Sequence, residues 1–303
     1  MRTLLSERAA GRWRGILPAL GIDPRHLTGK HGPCPKCGGK DRFRFDNKDG
    51  NGSWICTHCG AGYGANLVML VHGLDFREAA RRIEGVIGGA PVERFQPRPS
   101  HDKGALNALW RASHPIREGD AVDRWLLARG LTARPPVLRT VDRCRYNSEP
   151  PSWHPAMVAM VTAPDGRPCQ LHRTYLGDGL KADVEHPRKL MPGPITPGSA
   201  VRLTEPAEEM GAAEGIETAM AVTALFDLPC WSTLSAGSLE KFQPPEICLH
   251  LWVFGDNDPG YRGQASAYVL ARRQSSQRKV EVEIPPKPCK DWNDVLMARK
   301  GVG

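Results

Sequence analysis

The sequence predicts a multidomain α/β protein: a cysteine-rich N-terminal module, a mixed α+β middle region, and a C-terminal α/β sheet with covering helices. Three observations carry this. Two C-x-x-C pairs, Cys34/Cys37 and Cys56/Cys59, stand eighteen residues apart in a Gly-rich stretch. A Pro-rich segment interrupts the pattern at 91–102. From residue 200 onward, strand-like runs alternate with helical ones, which implies a mostly parallel sheet. The expected boundaries are 1–90 for the N-terminal helices and cysteine module, 91–102 for the linker, 103–200 for the middle region and 201–303 for the sheet domain.

Taken in order, residues 1–30 carry apolar positions (Leu4, Leu5, Trp13, Ile16, Leu17, Leu20) at mixed helical spacing. Two strand-like runs, DRFRF and SWIC, lie in the cysteine module. ANLVMLVHG reads as a helix, and DFREAARRIEGVIG as another, with Asp75 as N-cap and Glu78 three residues on, a capping-box pattern. Pro91, Pro97 and Pro99 preclude regular structure in the linker. Residues 103–131 hold two helical patterns ending at Gly130. AMVAMVTAPDGRPCQLHRTYL reads as a hairpin turning at Pro-Asp-Gly. Beyond it, AVRLTE, MGAAEG, LPCWSTL, LHLWVFGD and VEVEIP are strand candidates, and 215–226, 260–275 and 291–300 helix candidates.

Charge is uneven. The net formal charge of +8 is distributed as +7 over residues 1–100, +4 over 101–200 and −3 over the remainder. A basic body suits a polyanionic partner such as nucleic acid. An acidic end can gather carboxylates around a divalent cation. No run approaches the roughly 18–20 apolar residues of a membrane span, so no membrane partner is expected. Nine cysteines, an odd number, with no export signal, argue against a disulfide framework and for the cytoplasm.

Each C-x-x-C fits a tight turn that aims two sulfurs at one centre, and a hairpin between the pairs brings the centres together. Four thiolates in tetrahedral array make a closed structural Zn2+ site, from Cys34, Cys37, Cys56 and Cys59. An iron–sulfur cluster or a redox pair is the competing use. His31 and His58 read as surface or supporting histidines. In DRFRF, alternation puts Arg42 and Arg44 on one face and Phe43 and Phe45 on the other. The phenylalanines read as the small core of this module, and Lys40, Arg42 and Arg44 as contacts to a nucleic-acid backbone.

Three acidic clusters mark the C-terminal region: Glu214-Gly215 at a strand-to-helix junction, Asp256-Asn257-Asp258 at the end of an apolar strand, and Asp291 with Asp294. Strand ends of a parallel sheet open on one crevice. Converging carboxylates there suit Mg2+, a hard cation with oxygen ligands.

Glu-Gly after one strand and Asp-x-Asp-x-Gly after a later one resemble the Toprim domain of bacterial primases, topoisomerases and some nucleases. The four-cysteine module, PCPKCGGKDRFRF…GSWICTHCG, resembles the primase zinc ribbon. The segment HRTYLGDGLKADVEHPRKLMPGPITPGSAVRL is similar to the middle region of primase–helicases of satellite phages, prophages and conjugative elements. The resemblance spans about 30 to 297. It implies a DNA primase that makes short RNA primers on single-stranded DNA from nucleoside triphosphates. Glu214, Asp256 and Asp258 would be catalytic and would hold Mg2+ or Mn2+, with Asp291 or Asp294 as the further acid. Arg173, Lys181, Arg188 and Lys189 are candidates for triphosphate or template; His172 reads as structural. The sequence holds no Gly-x4-Gly-Lys-Ser/Thr loop. A replicative helicase is therefore expected in trans, or the chain is part of a longer primase–helicase. A Toprim nuclease or topoisomerase and a non-catalytic DNA-binding protein are the alternatives. A type I topoisomerase would need a tyrosine nucleophile, and Tyr146, Tyr175, Tyr261 and Tyr268 stand in no distinctive context.

Overall fold

The computed structural model describes residues 5–92, 103–147 and 150–301. The expected linker therefore lies outside the described residues, except for 91–92. The chain divides into two compact units, Met1–Arg98 and Pro99–Gly303.

The first unit opens with helices α1 (Leu5–Ala9) and α2 (Trp13–Ala19). Four short strands follow: β1 (Gly32–Cys34), β2 (Gly38–Phe45), β3 (Trp54–Cys56) and β4 (Gly60–Gly62), paired antiparallel in sequence order. Helices α3 (Gly64–His72) and α4 (Phe76–Ile87) complete it. Alternation in β2 buries Phe43 and Phe45 and leaves Arg42 and Arg44 partly exposed. The two phenylalanines and Trp54 join Trp13, Ile16, Leu17, Leu67, Val68 and Ile83 in one core, so the ribbon shares its apolar interior with the helices around it. At the start of α4, Asp75 accepts the Glu78 N–H at 2.8 Å. The reciprocal half of the expected capping box is not made. The Glu78 carboxylate turns to Arg81 and Arg82, at 2.7 and 3.0 Å, because charged donors one turn along the helix outcompete a backbone amide.

The second unit begins with α5 (Lys103–Ala112), β5 (His114–Pro115) and α6 (Ala121–Leu127). A five-stranded antiparallel meander then runs β5, β6 (Leu138–Tyr146), β7 (Ser152–Thr162), β8 (Pro168–Tyr175) and β9 (Arg188–Leu190) in spatial order. The β7–β8 hairpin turns at Pro-Asp-Gly, with Gly166 at φ +85°, a left-handed value that favours glycine.

Alternation from there is regular: β10 (Glu209–Ala213), α7 (Ile216–Phe226), β11 (Cys230–Ser232), the short α8 (Ala236–Leu239), β12 (His250–Phe254), α9 (Arg262–Gln274), β13 (Lys279–Glu283) and α10 (Trp292–Arg299). The four strands are parallel in the order β11-β10-β12-β13. Period-2 alternation sends Met210, Ala212, Leu251 and Val253 to one face, where Ala267 and Leu270 of α9 cover them. Ala213 and Phe254 face the other way. There they meet α7, α10, Trp125 of α6, and Met157, Ala159 and Val161 of β7. The middle region and the parallel sheet thus share one core.

AVRLTE, expected as a strand, forms only two single-residue bridges. Ala200 pairs with Thr162 and Val201 with Ser232, so this segment stitches the two sheets together and extends neither.

Candidate functional site

The first centre forms where the β1–β2 and β3–β4 turns meet. The sulfurs of Cys34 and Cys59 lie 4.0 Å apart and those of Cys37 and Cys56 3.7 Å apart. All four lie within 4.8 Å of one another. Gly38, at φ +66°, makes the turn after the first pair. The Lys36 and Cys59 amides donate to Cys34 and Cys56, each at 3.4 Å, which steadies the sulfurs as anions. Burial works against the Cys56 thiolate, but the amides of Cys59 and His58 together with the Cys37 and Cys34 sulfurs outweigh it and bring that thiol down to about 7. Burial raises Cys34 and, with the neighbouring sulfurs, pushes Cys59 up to about 12. This donor set fits a structural Zn2+.

His31 is outside the sulfur set and engaged elsewhere: its Nδ1 meets the Asp41 carbonyl at 3.0 Å. His58 is exposed. Of the ribbon cations, Lys40 is exposed, Arg42 lies against Gly39, and Arg44 is paired with Asp46 at 2.6 Å. The charge of Arg44 is therefore largely committed within the ribbon.

The second centre lies in the other unit, at the carboxyl ends of β10 and β12. The chain leaves these two adjacent strands toward opposite faces of the sheet, a crevice position that suits ligands. Glu214 follows β10 directly, with its carbonyl held by the Leu234 amide at 2.7 Å. Asp256 and Asp258 follow β12. Gly263 lets the start of α9 press against this turn: a Cβ there would meet the Asp256 backbone at 2.6 Å. The Gly263 amide donates to Asp258 at 3.0 Å. Asn257 faces away, with its amide on the Pro285 carbonyl and its oxygen accepting from Gln264.

The acidic groups sense one another. Burial, then Glu214, Asp291 and Asp258, push Asp256 up to about 7. Burial raises Glu214, with Asp258 adding to it. Burial also raises Asp291, helped by Asp294. Asp256 Oδ1 is buried with no hydrogen-bond partner, an orphaned acceptor that fits a cation ligand. Among the described residues, the four cysteines are the one set of three or more side chains grouped closely enough to hold a metal ion, so the acids of the crevice are not gathered into such a set. Asp291 and Asp294 differ in use. Asp291 caps α10 and faces Asp256, whereas Asp294 accepts the Lys290 amide at 2.8 Å, back along the chain.

A group of cations from the middle region faces these acids. Arg188 of β9 donates to Glu217 at 2.9 Å and favours the ionised forms of Glu214 and Asp256. Lys181 and Arg129 flank the Trp125 ring at 5.6 and 3.9 Å. Burial lowers Lys181, and so does Arg188, while Glu217 and Asp291 oppose the shift.

The four cations expected in the middle region separate. Lys181 and Arg188 join the acidic crevice. Arg173 and Lys189, directly opposite each other in the β8–β9 register, lie on the other sheet face, over Tyr175 and Tyr146. Successive side chains of a strand point to opposite faces, so neighbours in sequence part company here. Arg129 and Glu217 are additional members of the site. Glu217 carried a sequence signal, three residues after Glu214, whereas Arg129 reaches the site only through the packing of α6.

Residues 29–65 match a family model described as the zinc-binding domain of primase-helicase, and residues 209–301 match the Toprim domain. Residues 100–203 match a domain of unknown function. Among solved structures, the chain is similar to the primase fragment of the bacteriophage T7 primase-helicase at 15% identity. That likeness covers 90% of this chain and 95% of the other, with a TM-score of 0.41. The zinc-binding and RNA polymerase domains of the Aquifex aeolicus primase are similar at 14% identity, over 100% of this chain and 83% of the other, with a TM-score of 0.45. By its matched segments, the chain carries a stretch similar to the zinc-binding domain of primase-helicases ahead of a stretch similar to the Toprim domain.

Proposed function

We propose that the protein is a DNA primase. It makes short RNA primers on a single-stranded DNA template, in the cytoplasm, for replication of a phage, plasmid or integrative element, and works with a replicative helicase. The observation that carries this reading is the crevice in which Glu214, Asp291 and Asp258 lie close enough to Asp256 to add to the effect of its burial and raise its protonation, opposite Arg188 and Lys181.

In this reaction a 3′-hydroxyl attacks the α-phosphate of a nucleoside triphosphate, the new phosphodiester bond forms, and pyrophosphate leaves. A divalent cation, Mg2+ or Mn2+, supplies charge neutralisation at the reacting phosphates when bound. Glu214, Asp256, Asp258 and Asp291 are the groups to hold it. Asp294 is assigned instead to the Lys290 amide that precedes α10. Arg188, Lys181 and Arg129 present positive charge to the triphosphate. Glu217, buried and ion-paired, keeps the Arg188 guanidinium from collapsing onto the catalytic acids. In the other unit, Lys40 and Arg42 are the ribbon residues assigned to template capture.

The test supplies the full chain with ribonucleotides, a single-stranded DNA oligonucleotide and Mg2+ or Mn2+. Short RNA products are expected. Asp256→Ala and Glu214→Gln are each expected to lower their yield at least about 100-fold, because a ligand costs no less than the outer-shell partners that orient it. Zinc content and template binding stay near wild type. Cut or relaxed DNA in place of primers, or a Glu214→Gln protein working at the wild-type rate, would overturn the proposal.

A further inference from the structure

Trp153, the second residue of β7, is 49% exposed, although an indole buries more apolar surface than any other side chain when it packs inside. Two exposed arginines of β6 accompany it. The Arg143 guanidinium lies over the ring, 4.9 Å from its centroid, and Arg145 is its direct partner in the β6–β7 register. A bulge in β6 between Val141 and Cys144 adds one residue to that strand just before this register. The indole remains half-exposed with Arg143 in place, which leaves ring surface for a second planar group.

Register fixes which way this cluster faces. Trp153 and Met157 are four residues apart on β7, so they share a face. Met157 pairs with Thr174, and Thr174 with Arg188. Trp153 and Arg145 thus lie on the sheet face that also carries Arg188 and the acidic crevice. Four residues along β7 and two strands across separate Trp153 from Arg188, about 16 Å of sheet, a distance that a short run of single strand bridges.

We propose that Trp153, backed by Arg143 and Arg145, is a stacking platform for one base of a single-stranded nucleic acid whose chain leads to the acidic crevice. The chemistry is that of single-strand binders: the ring stacks on an unpaired base, and the arginines meet the flanking phosphates. An apolar protein partner would not call for one arginine over the ring and a second directly across the register from it. A duplex, with its bases stacked inside, would not call for the ring. The assignment rests on the primase reading only for the identity of the strand as template; the platform itself requires unpaired bases.

The experiment measures binding of a labelled single-stranded oligonucleotide, and of an abasic oligonucleotide of equal length, to the full chain by fluorescence anisotropy. Trp153→Ala is expected to lose roughly 5- to 150-fold in affinity for the base-bearing strand, and Trp153→Phe to recover most of it. The abasic strand should bind wild type and Trp153→Ala alike. Arg143→Ala should flatten the log–log salt dependence by roughly 0.7 for each phosphate that is no longer neutralised. Equal affinity of wild type and Trp153→Ala for the base-bearing strand overturns the platform. So does an equal loss on the abasic strand, which would make Trp153 a structural support. A wild type that binds single strands but makes no primers sinks the primase reading and leaves the platform standing. Primer synthesis together with an unaffected Trp153→Ala does the reverse.

Discussion

At His172, burial decides the ionisation state. The side chain is enclosed on the inner face of β8, its Nδ1 has no hydrogen-bond partner, and burial, with Arg188 adding to it, pushes its pKa from 6.5 to about 4. The charged groups around it are Arg188, Arg173 and Glu217, of which only Glu217 favours the protonated ring. The unfolded chain takes up a proton near pH 6.5 and the folded chain does not until about pH 4. Stability from this group is therefore complete above pH 6.5 and is lost progressively as the pH falls to 4, by up to about 3 kcal/mol. His172→Gln should remove that dependence. As the pH falls from 6.5 to 4, the urea midpoint of wild type should drop relative to that of His172→Gln, and parallel curves would show that His172 does not titrate in this window. Glu217, equally enclosed, behaves in the opposite sense. Burial favours its neutral form, yet Arg188, its own helix amide and Lys181 outweigh that and keep it ionised.

At the scale of the element, close approach sets several positions. The first residue of α3 is Gly64 because the helix begins against the face of Trp13; a Cβ there would meet the indole ring at 2.2 Å. Neither partner can move far, since Trp13 is buried among Ile16, Leu67 and the ribbon aromatics. Gly64→Ala should destabilise the N-terminal unit by about 1–3 kcal/mol, the cost of overpacking, and leave the larger unit unchanged. Thermal melting that resolves the two transitions checks this, and an unshifted first transition would mean that α3 slides to accept the methyl. The β8–β9 pair shows the same dependence on geometry. Its pleat divides Arg173 and Lys189 from Arg188, although all three look alike as basic residues in sequence.

At the scale of the whole molecule, each compact unit has its own core, and the four-thiolate centre belongs to the N-terminal one. Cys34 and Cys56 are themselves part of the apolar interior that holds α2, α3 and α4. Metal loss should therefore loosen the whole N-terminal unit, not residues 31–64 alone, because structural zinc contributes on the order of 10–16 kcal/mol to modules of this kind. A chelator, or Cys56→Ser, should abolish the low-temperature or metal-dependent transition and leave the transition of the larger unit in place. Stoichiometric zinc in purified Cys56→Ser would refute the four-thiolate site, and joint loss of both transitions would refute the independence of the units.

The sequence by itself determined those features whose signal is local. C-x-x-C spacing sets two sulfurs in one turn, Pro-Asp-Gly sets a hairpin, and strand–helix alternation sets a parallel sheet whose strand ends carry Glu214, Asp256 and Asp258. Each depends on residues a few positions apart, so a linear reading suffices. Tertiary structure alone decided what depends on long-range packing. It turned AVRLTE from a strand into a stitch between two sheets, merged the middle region and the parallel sheet around one core, and brought Arg129 beside Lys181 through the Trp125 ring. It also separated Asp291, which caps α10 and faces Asp256, from Asp294, which accepts the Lys290 amide. Such outcomes rest on which face of a strand or helix meets which neighbour, and a one-residue change of register reverses a face without altering composition or spacing.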